Sequence, residues 1–152
     1  MNKVIIVGGG AAGMLCSIIG ARNGCEVFLN EKNEKLGKKL YITGKGRCNV
    51  TNNCEVEDLL RAVMTNSKFL YSAFYTFNSQ DMMALLEEAG VPLKTERGNR
   101  VFPQSDRSSD IIRGLERLMK KYDVHVRFRS EVREILTKDG AATGISLADG
   151  EV

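Results

Sequence analysis

The sequence predicts an α/β protein built on a Rossmann-like βαβ core, and three observations predict it. A short apolar, β-branched run, Lys3-Val4-Ile5-Ile6-Val7, halts at a glycine loop, Gly8-Gly9-Gly10-Ala11-Ala12-Gly13. Met14 through Ile19 continue from that loop with helical spacing of apolar residues. A second apolar run, Glu26-Val27-Phe28-Leu29, closes on Asn30-Glu31 and so sets an acid eighteen residues after Gly13.

Each part of this start has a physical task. In a strand–turn–helix, Gly8 permits the sharp bend, Gly10 carries no Cβ to hold a pyrophosphate off the main chain, and Gly13 lets the helix lie close on the strand. The helix start, with Ala11 and Ala12, presents unpaired N–H groups and a partial positive charge, so an anion needs no lysine there. Glu31, at the tip of the second strand, is placed to accept hydrogen bonds from ribose hydroxyls. A glycine loop alone is a weak signal; the flanking strand, helix and acid make it a dinucleotide-binding pattern.

Composition narrows the class. The 152 residues suit one domain or part of one, and 43% hydrophobic with 27% charged content is that of an ordinary globular chain. The net charge of +3, from 22 basic and 19 acidic residues scattered along the chain, argues for neither a nucleic-acid stripe nor a membrane patch. The uncharged stretch from Val4 to Ala21 imitates a secretory signal, but its glycines would break such a helix, and a cytoplasmic location is expected. The four cysteines lack CxxC spacing and there is one histidine, so reduced thiols and no metal site are expected.

The remaining elements follow in order. Lys32 to Leu40 is a charged connection that reads equally as a solvated loop or as a place where Lys38 and Lys39 meet phosphate. Tyr41 to Asn53 makes a poor core and a poor helix. It suits the wall of a flat polar ring, with glycines Gly44 and Gly46 admitting close main-chain amides and Asn49, Thr51 and Asn52 supplying directed hydrogen bonds. Helices are expected over 56–64, about 69–77 and 81–89, the last capped by Asn78 or Ser79 and ended by Gly90. The aromatic group Phe69, Tyr71, Phe74, Tyr75 and Phe77 reads as one buried helical face rather than a ring-stacking box. Short strands at 91–96 and 99–102 flank a turn at Arg97-Gly98, and a helix with Ile111, Ile112, Leu115, Leu118 and Met119 on its apolar face runs to about Lys121. Strands over 123–129, 131–136 and 142–147 complete the pattern, and Asp149-Gly150 begins a further hairpin turn. His125 reads as a bland strand histidine rather than a catalytic one.

At Val7 to Gly13, Glu31-Lys32-Asn33, Gly37-Lys38-Lys39 and above all Thr43-Gly44-Lys45-Gly46-Arg47-Cys48-Asn49-Val50-Thr51-Asn52, the chain resembles the BaiN-like, or aminoacetone oxidase-like, flavoproteins of the glutathione-reductase-type FAD superfamily. Arg100 to Asp106 is similar to a second signature of that family, so the resemblance covers nearly the whole chain. It implies an FAD-binding βαβ core with additional helices and a β-meander. FAD would be held by its pyrophosphate at Gly8 to Gly13 and its ribose at Glu31, with Val132 meeting adenine through its main chain, and Arg47 and nearby amides stabilising the reduced flavin. The implied activity is hydride transfer between flavin and a reduced nicotinamide, NAD(P)H, or a small organic substrate; no residue stands out as a catalytic acid or base. Members of that family continue into a substrate domain and a returning glycine-rich FAD segment, so 1–152 is expected to be the amino-terminal, truncated part of an FAD/NAD(P)-binding domain. Activity of this stretch alone is uncertain, and self-association or a complementing chain is expected at surface left uncovered. The expected partners are a small-molecule substrate, with no nucleic acid and no membrane. The alternatives are a non-catalytic dinucleotide-binding module and, more remotely, a nucleic-acid binder.

Overall fold

A computed structural model describes residues 2–150, and these divide into two compact units. One is formed by the residues up to Leu40 together with those from Leu115 onward, the other by Tyr41–Gly114.

The first unit holds the βαβ start. Strand β1 (Lys3–Val7), helix α1 (Ala11–Arg22) and strand β2 (Glu26–Asn30) follow one another, and β1 and β2 pair in parallel with Val7 opposite Asn30. A third parallel strand, later in the chain, adds to the other edge of β2 with Leu29 opposite Val126. Helix α1 buries Met14, Ser17 and Ile18, residues three and four apart, and Val27 and Leu29 supply the buried face of β2. The connection after β2 ends in a short helix, α2 (Lys38–Ile42).

In the second unit a 3₁₀ turn at Thr43–Gly46 leads to the two-residue strand β3 (Thr51–Asn52), helix α3 (Val56–Ala62), a 3₁₀ turn at Ser67–Leu70, and helices α4 (Tyr71–Thr76) and α5 (Ser79–Glu88). Strands β4 (Leu93–Glu96) and β5 (Arg100–Pro103) form the expected hairpin, and β3 pairs with the far edge of β5, giving the antiparallel order β3-β5-β4. Asn78 caps α5 in a full capping box: its side chain accepts from Gln80 and Asp81 amides, and the Asp81 carboxylate accepts from the Asn78 amide.

Helix α6 (Ser108–Lys121) carries the chain back to the first unit, with Ile111, Ile112, Leu115, Leu118 and Met119 all buried as their spacing predicts. Strand β6 (His125–Arg127) is the third parallel strand, and β7 (Val132–Lys138) and β8 (Ala141–Leu147) form an antiparallel hairpin, the part of the meander present among the described residues. His125 stacks its ring on Phe28 of the neighbouring strand at 4.8 Å, a strand histidine as read.

One expectation is overturned. The aromatic residues around α4 do not form a buried face: Phe69 is 80% exposed, Tyr71 56% and Tyr75 48%, and α4 buries no residue. Tyr71 and Tyr75 lean on one another and the Tyr75 hydroxyl donates to Glu57. Helical spacing shows which side chains share a face, and leaves open whether anything covers it.

Replacing Asn78 by Ala removes both side-chain acceptances at the start of α5, and we expect a loss of about 1 kcal/mol in urea-unfolding stability. A midpoint unchanged from the parent chain would mean the box contributes nothing.

Candidate functional site

The glycine loop shows why four of its six positions lack a side chain, and the reasons differ. Gly8 sits at φ +96°, open to glycine and costly for other residues. A Cβ on Gly13 would lie 1.9 Å from the Gly8 carbonyl oxygen, so glycine there is what lets α1 meet the end of β1. A Cβ on Gly9 would fall 2.2 Å from Leu36 Cδ2 and 3.2 Å from Glu31 Oε2. Gly10 is different, because its backbone (φ −79°, ψ −171°) suits any residue and a Cβ there would meet nothing within 4 Å. Nothing within the fold requires glycine at position 10; the space beside it is open. Gly10 also caps α1 without any side-chain hydrogen bond, and the first turn, Ala11 to Gly13, holds no acid, so the amides at this helix start are not answered by a carboxylate.

Glu31 stands at the tip of β2 as expected, yet it is turned into the protein, 7% exposed. Its Oε2 accepts from the Gly9 amide at 2.7 Å, and its Oε1 accepts from both the main-chain amide of Asn33, at 2.8 Å, and the Asn33 side-chain amide. Burial works to raise its pKa, but the Asn33 and Gly9 hydrogen bonds, with the charge of Lys32, together hold the carboxyl below its usual value. The main chain locks the same point: Glu31 donates its amide to the Arg127 carbonyl and accepts from Ser130, and Gly37 donates to the Gly9 carbonyl, all at 2.8 to 2.9 Å. Val132 is half-buried at the start of β7, two residues beyond that Ser130 amide. Lys32 and Lys39 are exposed, while Lys38 is committed to Asn33 Oδ1 at 3.0 Å and Glu34 at 3.3 Å.

In the second unit the polar string around Arg47 does something sequence reasoning did not foresee. The Arg47 guanidinium donates to Glu96 and to Asp106, the latter at 2.6 and 2.8 Å, and lies 4.1 Å from the Phe102 ring centroid. Lys94 joins the same two carboxylates, at 2.6 Å to Asp106 and 3.4 Å to Glu96. Two cations therefore face two anions, and the charge expected to stabilise a reduced flavin is matched within the unit. Glu96 holds Arg47 yet more firmly protonated, with Asp106 adding to it.

The neighbouring side chains are likewise engaged within the unit. Thr51 Oγ1 donates to Ser79 at 3.0 Å, and Asn52 Nδ2 donates to the Gly98 carbonyl at 3.2 Å while its Oδ1 is buried with no hydrogen-bond partner. With its nitrogen facing the acceptors, the Asn49 amide donates to the carbonyls of Thr51 and Val101 at 3.1 and 3.2 Å. Cys48 is buried, and burial pushes its thiol pKa up despite a hydrogen bond with Thr43, so it is a poor nucleophile. Gly44 and Gly46 both have positive φ, 57° and 84°; only Gly46 has open space where a Cβ would be.

A cleft of about 930 Å³ lies in the first unit, lined by Ile5, Val7 and Phe28 of the parallel sheet and Ile135, Ile145 and Leu147 of the hairpin. Ile5, Val7 and Ile135 are 43%, 56% and 61% exposed, a surface of the kind the expected self-association would need. Among the described residues no helix is long and apolar enough to cross a membrane.

A family model described as the HI0933-like protein Rossmann domain matches residues 2–152. The chain is 31% identical to a 3-dehydro-bile acid delta(4,6)-reductase of Clostridium scindens over 99% of its length, and 33% identical to the ribosomal RNA dihydrouridine synthase of Escherichia coli over 94%. It spans about a third of the length of these curated relatives, 36% and 34%. Among solved structures, a 3-ketosteroid-delta4-(5alpha)-dehydrogenase from Rhodococcus jostii superposes on 96% of the chain with a TM-score of 0.73 at 16% identity, covering 42% of that protein. A flavocytochrome c3 fumarate reductase does so on 96% with 0.68 at 24%, covering 31%. These likenesses establish the Rossmann-like α/β fold. The expectation of no nucleic-acid partner rested on scattered charge alone, and a relative named for ribosomal RNA runs against it.

Two outcomes follow from this geometry. Gly13→Ala forces a Cβ onto the Gly8 carbonyl and should cost about 3 kcal/mol in chemical denaturation, the upper range for overpacking. In the second unit, Arg47 and then Lys94 lower the Glu96 carboxyl, and Lys94 and then Arg47 lower that of Asp106. Carboxyls lowered in the folded state stabilise it fully above their unfolded pKa, and that contribution is lost as pH falls through the lowered values. Arg47→Met lifts those values, so acid unfolding followed by circular dichroism should begin at higher pH than in the parent; coincident acid transitions would discount the cluster.

Proposed function

The chain belongs to the HI0933-like Rossmann-domain family, and on that premise we propose that it is the dinucleotide-binding, amino-terminal part of an FAD-dependent oxidoreductase. The observation that carries the proposal is Gly10, whose backbone needs no glycine and whose missing side chain leaves open space at the start of α1. A fold that gains nothing from glycine at that point gains room for a ligand, and the unanswered helix amides select an anionic one.

In this reading the main chain from Gly8 to Gly13 receives the pyrophosphate, with the exposed Lys39 adding positive charge nearby in sequence. Glu31 Oε2 accepts from a ribose hydroxyl, and Val132 and Lys32 border the adenosine end. The Gly44–Asn52 segment serves the flavin ring through main-chain amides, since the side chains of Arg47, Asn49 and Thr51 have partners of their own. When bound, FAD supplies a hydride carrier between a reduced nicotinamide and the substrate. The two relatives' names share a chemistry: a delta(4,6)-reductase saturates carbon–carbon double bonds, and dihydrouridine is uridine with its ring double bond saturated. The substrate class proposed for the whole protein is accordingly a molecule with a carbonyl-conjugated double bond. The alternative, a dinucleotide-binding module without redox work, is favoured by the first unit taken alone, where the glycine loop and Glu31 account for an ADP moiety and for nothing beyond it.

Protein purified without added cofactor should carry flavin absorbance that denaturation releases, and Gly10→Val should abolish it. Because an extended backbone and open space accept valine, thermal stability should stay within about 0.5 kcal/mol of the parent. Equal flavin in both proteins would sink the assignment, and retention of NAD or ADP without flavin would favour the module.

A further inference from the structure

We infer that Asn33 is a positioning residue for the nucleotide site: its main-chain and side-chain amides together fill one oxygen of the Glu31 carboxylate and so aim the other at the Gly9 amide, with a lone pair left for one ribose hydroxyl. The inference rests on the reading of the Gly8–Gly13 loop as the dinucleotide site.

A carboxylate oxygen has two lone pairs. Oε1 of Glu31 accepts the Asn33 N–H at 2.8 Å and the Asn33 Nδ2–H, so both of its lone pairs are in use. Oε2 accepts only the Gly9 N–H, at 2.7 Å, and keeps one. The Asn33 amide cannot reverse its ends, because Lys38 Nζ donates to its Oδ1 at 3.0 Å and a lysine has nothing to accept with. Its main chain is tied as well, the Asn33 carbonyl accepting from the Arg129 amide at 3.1 Å. Asn33 thus joins three pieces of the first unit: the strand tip with its acid, the lysine of α2, and the turn leading to Val132. Rotation of the Glu31 carboxylate would break a bond to Asn33 and the bond to the glycine loop at once. The acid therefore offers the ligand one acceptor in one direction rather than a two-pronged grip.

The charged groups around this point are Lys32 beside Glu31, Glu34 and Lys38 on the connection, and Arg127 and Arg129, whose main chains pair with residues 31 and 33. The glycine loop brings no titratable group. Asn33→Ala keeps the main-chain donor, removes the side-chain donor and leaves Lys38 paired with Glu34 alone. With one donor fewer, the ionised carboxyl is less favoured and Glu31 titrates at higher pH.

The test is a pH titration of the ligand-free 152-residue chain by amide NMR, reading the Gly9 N–H that faces Oε2, beside FAD affinity measured by fluorescence at pH 5 and pH 8. Loss of one charge-assisted hydrogen bond should raise the Gly9 midpoint by about one unit in Asn33→Ala. FAD affinity should fall by up to about threefold at pH 5, where a carboxyl raised by one unit is partly protonated, and by less at pH 8, where it ionises in both proteins. Asn33→Ser, whose hydroxyl also donates, should lie between the two. Should Asn33→Ala fail to fold, Lys38→Ala, which releases the amide end without removing it, should move the midpoint the same way by less. An unshifted Gly9 midpoint in these variants, or an affinity loss equal at both pH values, overturns the role of Asn33 while leaving the FAD reading intact. Absence of FAD binding by the parent chain at both pH values overturns that reading and the ligand-directed role with it.

Discussion

The first unit depends on a buried charge that has to stay charged. Glu31 lies at the tip of β2 with 7% of its surface exposed, and an ion moved there from water loses several kcal/mol of hydration. Three hydrogen bonds, from Gly9 and twice from Asn33, replace the water, and bonds to charged groups are worth about 1.5–3 kcal/mol each. Against the penalty of burial, they and the charge of Lys32 hold its pKa below the usual value. The consequence reaches beyond one side chain. Because one of these donors belongs to the glycine loop, the acid that the sequence reads as a ribose acceptor is also a brace for the loop, and the strand tip and the loop share one carboxylate.

Much of this was legible in the sequence because it is local. The strand, the loop, α1 and β2 follow from apolar spacing and glycine positions within thirty residues; in the structure Gly8 takes a positive φ at the bend and Gly13 lets α1 approach a carbonyl as expected, while Gly10 has open space where a Cβ would be. The α5 cap, the β4–β5 hairpin and the apolar face of α6 were equally local. The aromatic residues near α4 show the boundary of the method, since a period identifies a face while burial depends on a partner far away in the chain. Asn33 lay beyond that boundary too. Its neighbours in sequence are charged and its own type marks a turn, and nothing in that pattern shows that it bonds at once to Glu31, Lys38 and Arg129.

The second unit shows why a distinctive string is not by itself a map of ligand contacts. The Arg47–Asn52 string looked like the wall of a ring site because it is polar, glycine-flanked and unsuited to a core. In the structure its side chains are bonded inward: Thr51 to Ser79, Asn52 to Gly98, and Arg47 to Glu96 and Asp106 while lying over Phe102. Phe102 and Asp106 belong to the other signature run, Arg100 to Asp106, some fifty residues on. Each of the two runs supplies partners that the other needs, which accounts for both in one small unit built on β3, β4 and β5.

That inward bonding changes what such a segment has left to offer a ligand. Gly44, Lys45 and Gly46 run through consecutive left-handed conformations, with φ of 57°, 55° and 84°, and for Lys45 that backbone is disfavoured by about 1–2 kcal/mol. A chain holds a lysine in that state when its surroundings fix the bend, and here the Cys48 amide bonded to the Thr43 carbonyl closes the turn at 3.1 Å. With Arg47, Thr51 and Asn52 bonded within the unit and the bend held, the turn carries the exposed Lys45 side chain beside main chain that is uncluttered at Gly46, where no atom stands within 4 Å of the missing Cβ. Both units thus arrive by different routes at a similar local feature: a peptide group with open space where a Cβ would be, at Gly10 in the first and Gly46 in the second, next to side chains bonded within the unit.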